Sequence, residues 1–366
     1  MKKFTSLFLM LALVVACSSS EDDPTEVADN FDRNAMLVNW ADNIIIPSYE
    51  AYGSAVSDLK LATDAFNTQP DLTGLSVVRE NWLVAYLAFQ QVSMFEIGPA
   101  ETISLRNYTN IYPADANEIE GFVASNDFNL SLPSTNDAQG FPALDYMLYG
   151  TASTDAEILD KLSTANYSNY LDALVTRLQS MSELVLNEWK GSYRDAFVAN
   201  NGSTASSSVN KLMNDFLFYY EKSLRAGKIG IPAGVFSGSP LSDRVEGLYS
   251  KSYSKQLFNT ALEATIDFFI GKHHGSTVNG SSIEGYLEYL SEINNTEDLS
   301  LSIRNQFTAA KTMAQQLNDN FFEQVETDNS KMLQTYDELQ KNVILMKVDM
   351  FQKMNVRIDY VDADGD

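Results

Sequence analysis

The stretch SSSVNKLMNDFLFYYEKSLRA, residues 206–226, shows most clearly how this chain folds. Its apolar side chains recur every three or four residues, and they are Val209, Leu212, Met213, Phe216, Tyr219, Tyr220 and Leu224. This spacing places them on one face of an α-helix, with polar residues on the opposite face. The stretch therefore predicts an amphipathic helix that buries one side against other helices.

The same spacing recurs along most of the chain, for example over residues 171–189 and 333–354. Proline is sparse, with nine residues, and sustained strand-like alternation is hard to find. Helices are predicted near 31–68, 74–96, 116–125, 154–199, 205–226, 253–271, 297–327 and 329–356. Because antiparallel helices with one apolar face pack into bundles, the sequence predicts an all-α fold.

The length and a weak internal echo predict two related halves. A chain of 366 residues corresponds to about two domains. The motif IGPA at 97–100 resembles IGIPA at 229–233, and each follows an aromatic-rich helix. A polar stretch beginning at Asn200 is typical of a linker. We therefore expect two helical-bundle domains, 31–200 and 201–366, packed around an interdomain cleft.

Composition excludes several classes of function. The chain has 25 Lys and Arg against 49 Asp and Glu, a net charge of −24, which argues against nucleic-acid binding through phosphate neutralisation. A single Cys excludes an internal disulfide and a Cys-rich zinc site. The only two His residues, His273 and His274, are adjacent, so they cannot share a helix face as zinc ligands would.

The N-terminus resembles that of a bacterial lipoprotein. A basic start is followed by an apolar stretch too short to span a bilayer, and Ala16 directly precedes Cys17. These features predict a signal peptide over 1–16, lipidation of Cys17 and a flexible acidic tether over 17–30. The expected location is the bacterial outer membrane, with periplasmic and surface-exposed orientations both left open.

The segment QGFPALDYMLYG, residues 139–150, resembles the G-x-H-x-x-E signature of the imelysin family, also called insulin-cleaving membrane proteases. Arg79, Trp82 and the run FEIGP at 95–99 resemble that family's second helix and its exit. The resemblance extends over roughly residues 31–360. It implies two related helical bundles with a site between them, in bacterial proteins of which several are tied to iron or haem uptake.

The sequence departs from the signature at its two chemical positions. Pro142 stands where the family has His, and Asp145 stands where it has Glu. Proline cannot bind a metal or accept a proton through its side chain, which disfavours the family's metal-dependent peptidase activity. The motif is therefore either an interdomain packing segment or a ligand site with Asp145 as its candidate metal ligand. The candidate ligand-binding residues are Gly140, Pro142, Asp145, Tyr146, Glu96 and Glu101.

These observations favour a lipid-anchored binding protein that takes part in iron or haem acquisition. Oxygen ligands such as carboxylates suit hard iron ions. Its expected partners are the membrane, through Cys17, an iron or haem ligand and an outer-membrane uptake protein. Two alternatives remain open at this stage: a metal-dependent peptidase, and a non-catalytic interaction module at the cell surface.

Overall fold

The structure, a computed structural model, describes residues 29–360. The predicted signal peptide, the lipidation site at Cys17 and nearly all of the tether lie outside the described residues. The predictions made for those segments therefore stay predictions.

The all-α prediction is confirmed for residues 29–360, which contain no strand and one isolated bridge between Lys272 and Asn279. The α-helices are Arg33–Asn39, Ile46–Thr68, Leu72–Val92, Pro99–Thr102, Leu105–Thr109, Ala116–Ser125, Gly140–Asp145, Asp155–Leu162, Ala165–Glu188, Arg194–Ala199, Ser208–Phe218, Ile231–Ala233, Ser254–Phe269, Ile283–Asn294, Leu299–Ala314, Phe321–Ile344 and Phe351–Lys353. Wider π-helical segments are Trp40–Ile45, Tyr146–Gly150, Trp189–Tyr193, Tyr219–Gly230 and Leu345–Met350. Short 3₁₀ turns are Pro133–Ala138 and Ser242–Arg244.

Several helices begin at residues whose side chains accept the otherwise unpaired backbone N–H groups of the first turn. The Asp71 carboxylate accepts the Gly74 N–H at 2.6 Å. Thr154 and Glu157 form a reciprocal capping box at the start of the helix Asp155–Leu162. The Ser207 side chain accepts the Asn210 N–H and so caps the start of the helix Ser208–Phe218.

The long helices pack against one another through a continuous apolar core. The helix Ile46–Thr68 packs against both Leu72–Val92 and Ala165–Glu188. Further along the chain, Phe321–Ile344 packs against Leu299–Ala314 and against the π-helix Tyr219–Gly230. All three tryptophans are fully buried, as expected for large apolar side chains on inward faces. None of the helices formed by residues 29–360 combines the length and the apolar character that crossing a membrane requires.

The predicted division at residue 200 remains a prediction. Residues from Phe31 onward form one compact unit. The helix Ser254–Phe269 packs against Leu72–Val92, so the two sides of that boundary share packing.

Two π-helical segments modify the predicted helices 31–68 and 205–226. In the first of these helices the π-helical segment Trp40–Ile45 precedes Pro47, which lies in the first turn of Ile46–Thr68, where its missing N–H is tolerated. The helix predicted to end near residue 226 continues to Gly230 as a π-helix. Gly227 and Gly230 do not end the helix because both are held in helical backbone rather than in the left-handed region typical of helix ends.

Candidate functional site

The signature segment begins at a glycine that the fold requires. Gly140 has a φ of +76°, and a Cβ there would lie 2.2 Å from the Thr109 carbonyl oxygen. A side chain would therefore meet both backbone strain and a backbone clash. Pro142 is buried in the first turn of the helix Gly140–Asp145, where its missing N–H leaves no donor unpaired. Both residues thus support the local backbone.

Asp145, the candidate metal ligand, is buried and fully engaged by backbone. Its Oδ2 accepts the Tyr249 N–H at 2.8 Å, and its Oδ1 accepts the Ser250 N–H at 2.9 Å. Burial raises the pKa of the Asp145 carboxyl to about 6, while these two bonds act in the opposite direction. The carboxylate therefore ties the signature helix to a loop more than a hundred residues further along the chain.

Tyr146 contacts a different neighbour. Its hydroxyl donates to Glu120 Oε1 at 2.6 Å, and Tyr167 donates to the other oxygen of the same carboxylate at 2.5 Å. The Tyr146 ring packs edge-on against Tyr249, with centroids 5.0 Å apart. These contacts hold the segment in place and leave Tyr146 outside the cleft described below.

Glu96 lies in a second cluster of charged groups. Its carboxylate accepts the Arg106 N–H at 2.9 Å, and its own N–H donates to Asp215. The Arg106 guanidinium pairs with Asp215 at 2.9 Å. Burial raises the pKa of Glu96 to about 7, against the lowering effect of Arg106. Glu96 and Glu101 together line a shallow cavity of about 200 Å³.

A larger cleft of about 570 Å³ is also lined by Glu96 and Asp215. Its walls come from residues 93–112 and 215–244, on either side of the predicted domain boundary. This volume is within the range of small-ligand sites. Of the predicted site residues, only Glu96 lines this cleft, and Asp145, Tyr146, Gly140 and Pro142 do not.

Lys228, which lines the cleft, forms a buried ion pair with Glu246, and each is 3% exposed in its side chain. Lys228 also donates to Gln90 at 2.9 Å. Glu246 accepts hydrogen bonds from Tyr86, Gln90 and Asn110 at 2.7 to 3.0 Å. Burial lowers the pKa of Lys228, and the carboxylate opposes that shift. A buried ion pair is tolerated when further hydrogen bonds offset the loss of hydration, and Lys228 and Glu246 both make such bonds.

Sequence reasoning missed four of these charged residues: Arg106, Asp215, Lys228 and Glu246. Lys228 lies directly before the repeated IGIPA motif, so the internal echo could have drawn attention to it. Asp215 is the single acidic residue within the apolar run 209–220, which was also a usable signal. Arg106 and Glu246 are in segments that carry no periodic pattern.

The residues at the signature do not fit an iron or zinc centre. Within 29–360 no group of three His, Cys, Asp or Glu side chains is placed to hold a metal ion. His274 lies elsewhere: its ring nitrogen Nδ1 is beside the Ser48 hydroxyl, and its backbone N–H donates to the Asn43 carbonyl. Asp145 already accepts two backbone N–H groups. The described residues therefore supply no set of ligands around the position of the missing signature His.

Comparison with known proteins identifies the family. The sequence matches the family model described as Imelysin, peptidase family M75, over residues 45–345. No curated protein matches it. An imelysin-like protein from Psychrobacter arcticum 273-4 has a TM-score of 0.70 at 18% sequence identity, covering 92% of this chain and 100% of that one.

A "putative iron-regulated protein A precursor" from Parabacteroides distasonis ATCC 8503 also has a TM-score of 0.70, at 19% identity. That comparison covers 86% of this chain and 94% of the other. At these identities the structural likeness shows the fold alone. Since the family model spans well over half of the residues, the chain belongs to the imelysin family.

Proposed function

We propose that this protein is a non-catalytic binding protein that serves iron acquisition, with the cleft between 93–112 and 215–244 as its ligand site. The observation that carries the proposal is the cleft itself: a partly open volume of about 570 Å³ whose walls include charged side chains fixed by buried and partly buried ion pairs. Charged groups held rigidly in a concave site orient a ligand at low entropic cost.

We propose the link to iron on the basis of the comparisons with known proteins. One protein of similar fold is named as iron-regulated, and that name says nothing about what it binds. Membership in the imelysin family is consistent with a role in iron or haem uptake. The ligand we expect is therefore an iron compound or haem.

A peptidase function receives less support from the described residues. A metal-activated water needs a metal held by three protein ligands and a nearby base. Pro142 replaces the signature His, and Asp145 has both carboxylate oxygens engaged by backbone N–H groups. We therefore propose binding rather than hydrolysis.

The proposal includes the anchor predicted from the sequence. A lipidated Cys17 would hold the protein at the bacterial outer membrane, where a ligand could pass to an uptake partner. Replacing Cys17 with Ser should release the protein from the membrane fraction. Retention of the Ser variant in that fraction would contradict the anchor without bearing on the cleft.

The binding proposal is tested with the full-length chain purified from cells grown with and without iron. Elemental analysis measures bound iron, haem absorbance measures bound haem, and isothermal titration measures binding of added iron compounds. We expect saturable binding of one of these ligands, at one site per chain. Absence of binding by all three measurements, with the chain folded by circular dichroism, would overturn the proposed function.

A further inference from the structure

Residues 355–360, which we call the strap, follow the last helix of the described chain and lie outside any helix themselves. The chain reverses at Asn355, whose φ is +52°. The Val356 N–H then donates to the Phe351 carbonyl at 2.9 Å, the bond that characterises a Schellman helix end. Local backbone bonds therefore fix the direction in which the strap leaves the helix.

A buried asparagine side chain binds the backbone of the strap. The Asn214 amide donates to the Arg357 carbonyl at 2.8 Å and accepts the Asp359 N–H at 3.0 Å. One side chain thus pairs with peptide groups two residues apart, as a residue of a neighbouring parallel strand does. Asn210, one helical turn earlier, is within hydrogen-bond distance of the Arg357 peptide N–H and C=O in one of its two amide orientations. Both asparagines are 3% exposed, so the strap supplies partners that these buried amides need.

Tyr360 ties the end of the strap to the same helical element. Its hydroxyl donates to Glu221 Oε2 at 2.8 Å, and its ring packs edge-on against Phe218 with centroids 5.5 Å apart. Glu221 is fully buried in the π-helix that continues this element. The residues that hold the strap recur every three or four positions, and they are Asn210, Asn214, Phe218 and Glu221. The strap therefore lies along one helical face.

The strap is attached by few contacts. The side chains of Arg357, Ile358 and Asp359 are exposed, so this part of the strap buries little apolar surface. Segments that are held by a few hydrogen bonds open at lower free-energy cost than the helices of a core. When the strap leaves, water can take its place beside the Asn214 amide. We therefore expect the strap to undock while the rest of the chain stays folded.

The strap also lines the shallow cavity described above. Asp359 and Tyr360 are two of the residues around that cavity. Three others, Glu96, Asp215 and Phe218, line the larger cleft as well. The two cavities thus share part of their lining, and the strap completes the shallow one.

We propose that the strap is a latch that closes one approach to the ligand site and opens by local undocking. With the strap undocked, the shallow cavity loses Asp359 and Tyr360 from its lining, and solvent gains access to Glu96 and Asp215. Undocking of a segment is a common way for proteins to change access to a site. The latch goes beyond the proposed function, because it concerns access to the cleft and not the identity of the ligand.

The test uses the full-length chain without a ligand. Trypsin cleaves after Arg357 only when the strap is undocked, because the peptide groups of Arg357 and Asp359 are otherwise held by Asn214. Tyr360→Phe and Asn214→Leu should each accelerate this cleavage roughly tenfold, since each removes hydrogen bonds that hold the strap.

Hydrogen exchange resolved to single amides tests the connection to the cleft. The Glu96 N–H donates to Asp215, and the Arg106 N–H donates to Glu96, so both amides report on the lining that the two cavities share. In both variants their exchange should accelerate by about the same factor as the cleavage, because one opening exposes both. Amides inside the helix Ile46–Thr68 should keep their wild-type rates.

Matched controls remove similar bonds elsewhere. Tyr167→Phe removes a bond from a phenol to the Glu120 carboxylate, and Asn166→Leu removes an amide bond to the Val123 carbonyl. These residues are outside the strap and line neither cavity. Both controls should leave cleavage after Arg357 at the wild-type rate.

Three results would overturn the latch. Wild-type cleavage in both strap variants would show that these contacts do not hold the strap. Faster cleavage with unchanged exchange at Glu96 and Arg106 would show a frayed terminus without a link to the cleft. Equal acceleration inside the helix Ile46–Thr68 would show global rather than local opening. Because no ligand is used, each result is independent of the binding measurements that test the proposed function.

Discussion

Two buried carboxyl groups, Asp145 and Glu96, were both predicted as ligand-binding residues, and the structure gives them different surroundings. Both have pKa values raised by burial, to about 6 and about 7. Asp145 uses both oxygens on backbone N–H groups of one loop and lines none of the cavities described above. Glu96 receives the backbone N–H of Arg106 and lines two cavities.

The residues of the family signature and the residues that line the cleft are therefore different parts of this chain. The signature segment holds together two distant parts of the chain, through Asp145 and through the close approach of Gly140 to Thr109. The cleft is built by residues outside the signature. A perturbed pKa alone does not distinguish the two cases, since burial raises it in both. The predictions below test this separation.

The largest effect is expected at the cleft, from Lys228→Met. Removing the ammonium leaves Glu246 buried without its counter-charge, and breaking a buried pair in this way costs roughly 3–5 kcal/mol. The free energy of unfolding from urea titration should fall by that amount. The double variant Lys228→Met/Glu246→Gln should recover most of the loss, because a neutral amide needs no counter-charge. A double variant as unstable as the single one would show that Lys228 acts through packing rather than charge.

At the signature, Gly140→Ala should destabilise the protein strongly. A non-glycine residue at positive φ carries strain of roughly 1–3 kcal/mol, and the added Cβ would also clash with the Thr109 carbonyl. Thermal unfolding measures the loss.

The matched control for this change is Gly121→Ala. Gly121 lies in the helix Ala116–Ser125, and a Cβ there meets no atom within 4 Å. Alanine is the better helix former by about 1 kcal/mol, so this variant should be more stable than wild type. Equal behaviour of the two variants would contradict the special role of Gly140.

Asp145→Asn tests the separation directly. An amide offers a single acceptor oxygen, so one of the two backbone N–H groups of Tyr249 and Ser250 loses its partner, at a cost of roughly 1–3 kcal/mol. Ligand affinity at the cleft should remain at the wild-type value. Asp155→Asn, which removes an exposed carboxylate paired with Arg79, should cost less than about 1 kcal/mol. A folded Asp145→Asn protein that no longer binds its ligand would place the site at the signature.

The sequence predicted the all-α fold because apolar residues at helical spacing report directly on the buried helix face. The start of the helix Ser208–Phe218 can be predicted from the sequence, because Ser207 is a typical N-cap residue. The π-helix at 219–230 was missed because Gly227 and Gly230 normally indicate a helix end. Of the site, Glu96 was found through the FEIGP motif. Arg106 and Glu246 are brought to it only by long-range packing, which no local pattern records.

The smallest effect we predict is the pH dependence that Glu96 imparts. Its folded pKa of about 7 is above the ordinary value of 4.5, so its contribution to stability is full below pH 4.5 and is lost as the pH rises through 7. The groups that act on it are Arg106, which favours ionisation, and Asp215 and Glu101, which oppose it.

Between pH 6 and 8 the wild type should lose about 1 kcal/mol of stability that Glu96→Gln retains. Glu101→Gln removes one of the charges that oppose ionisation of Glu96, so the loss of stability should move to lower pH in that variant. Parallel profiles for wild type and Glu96→Gln across that window would contradict a raised pKa of Glu96.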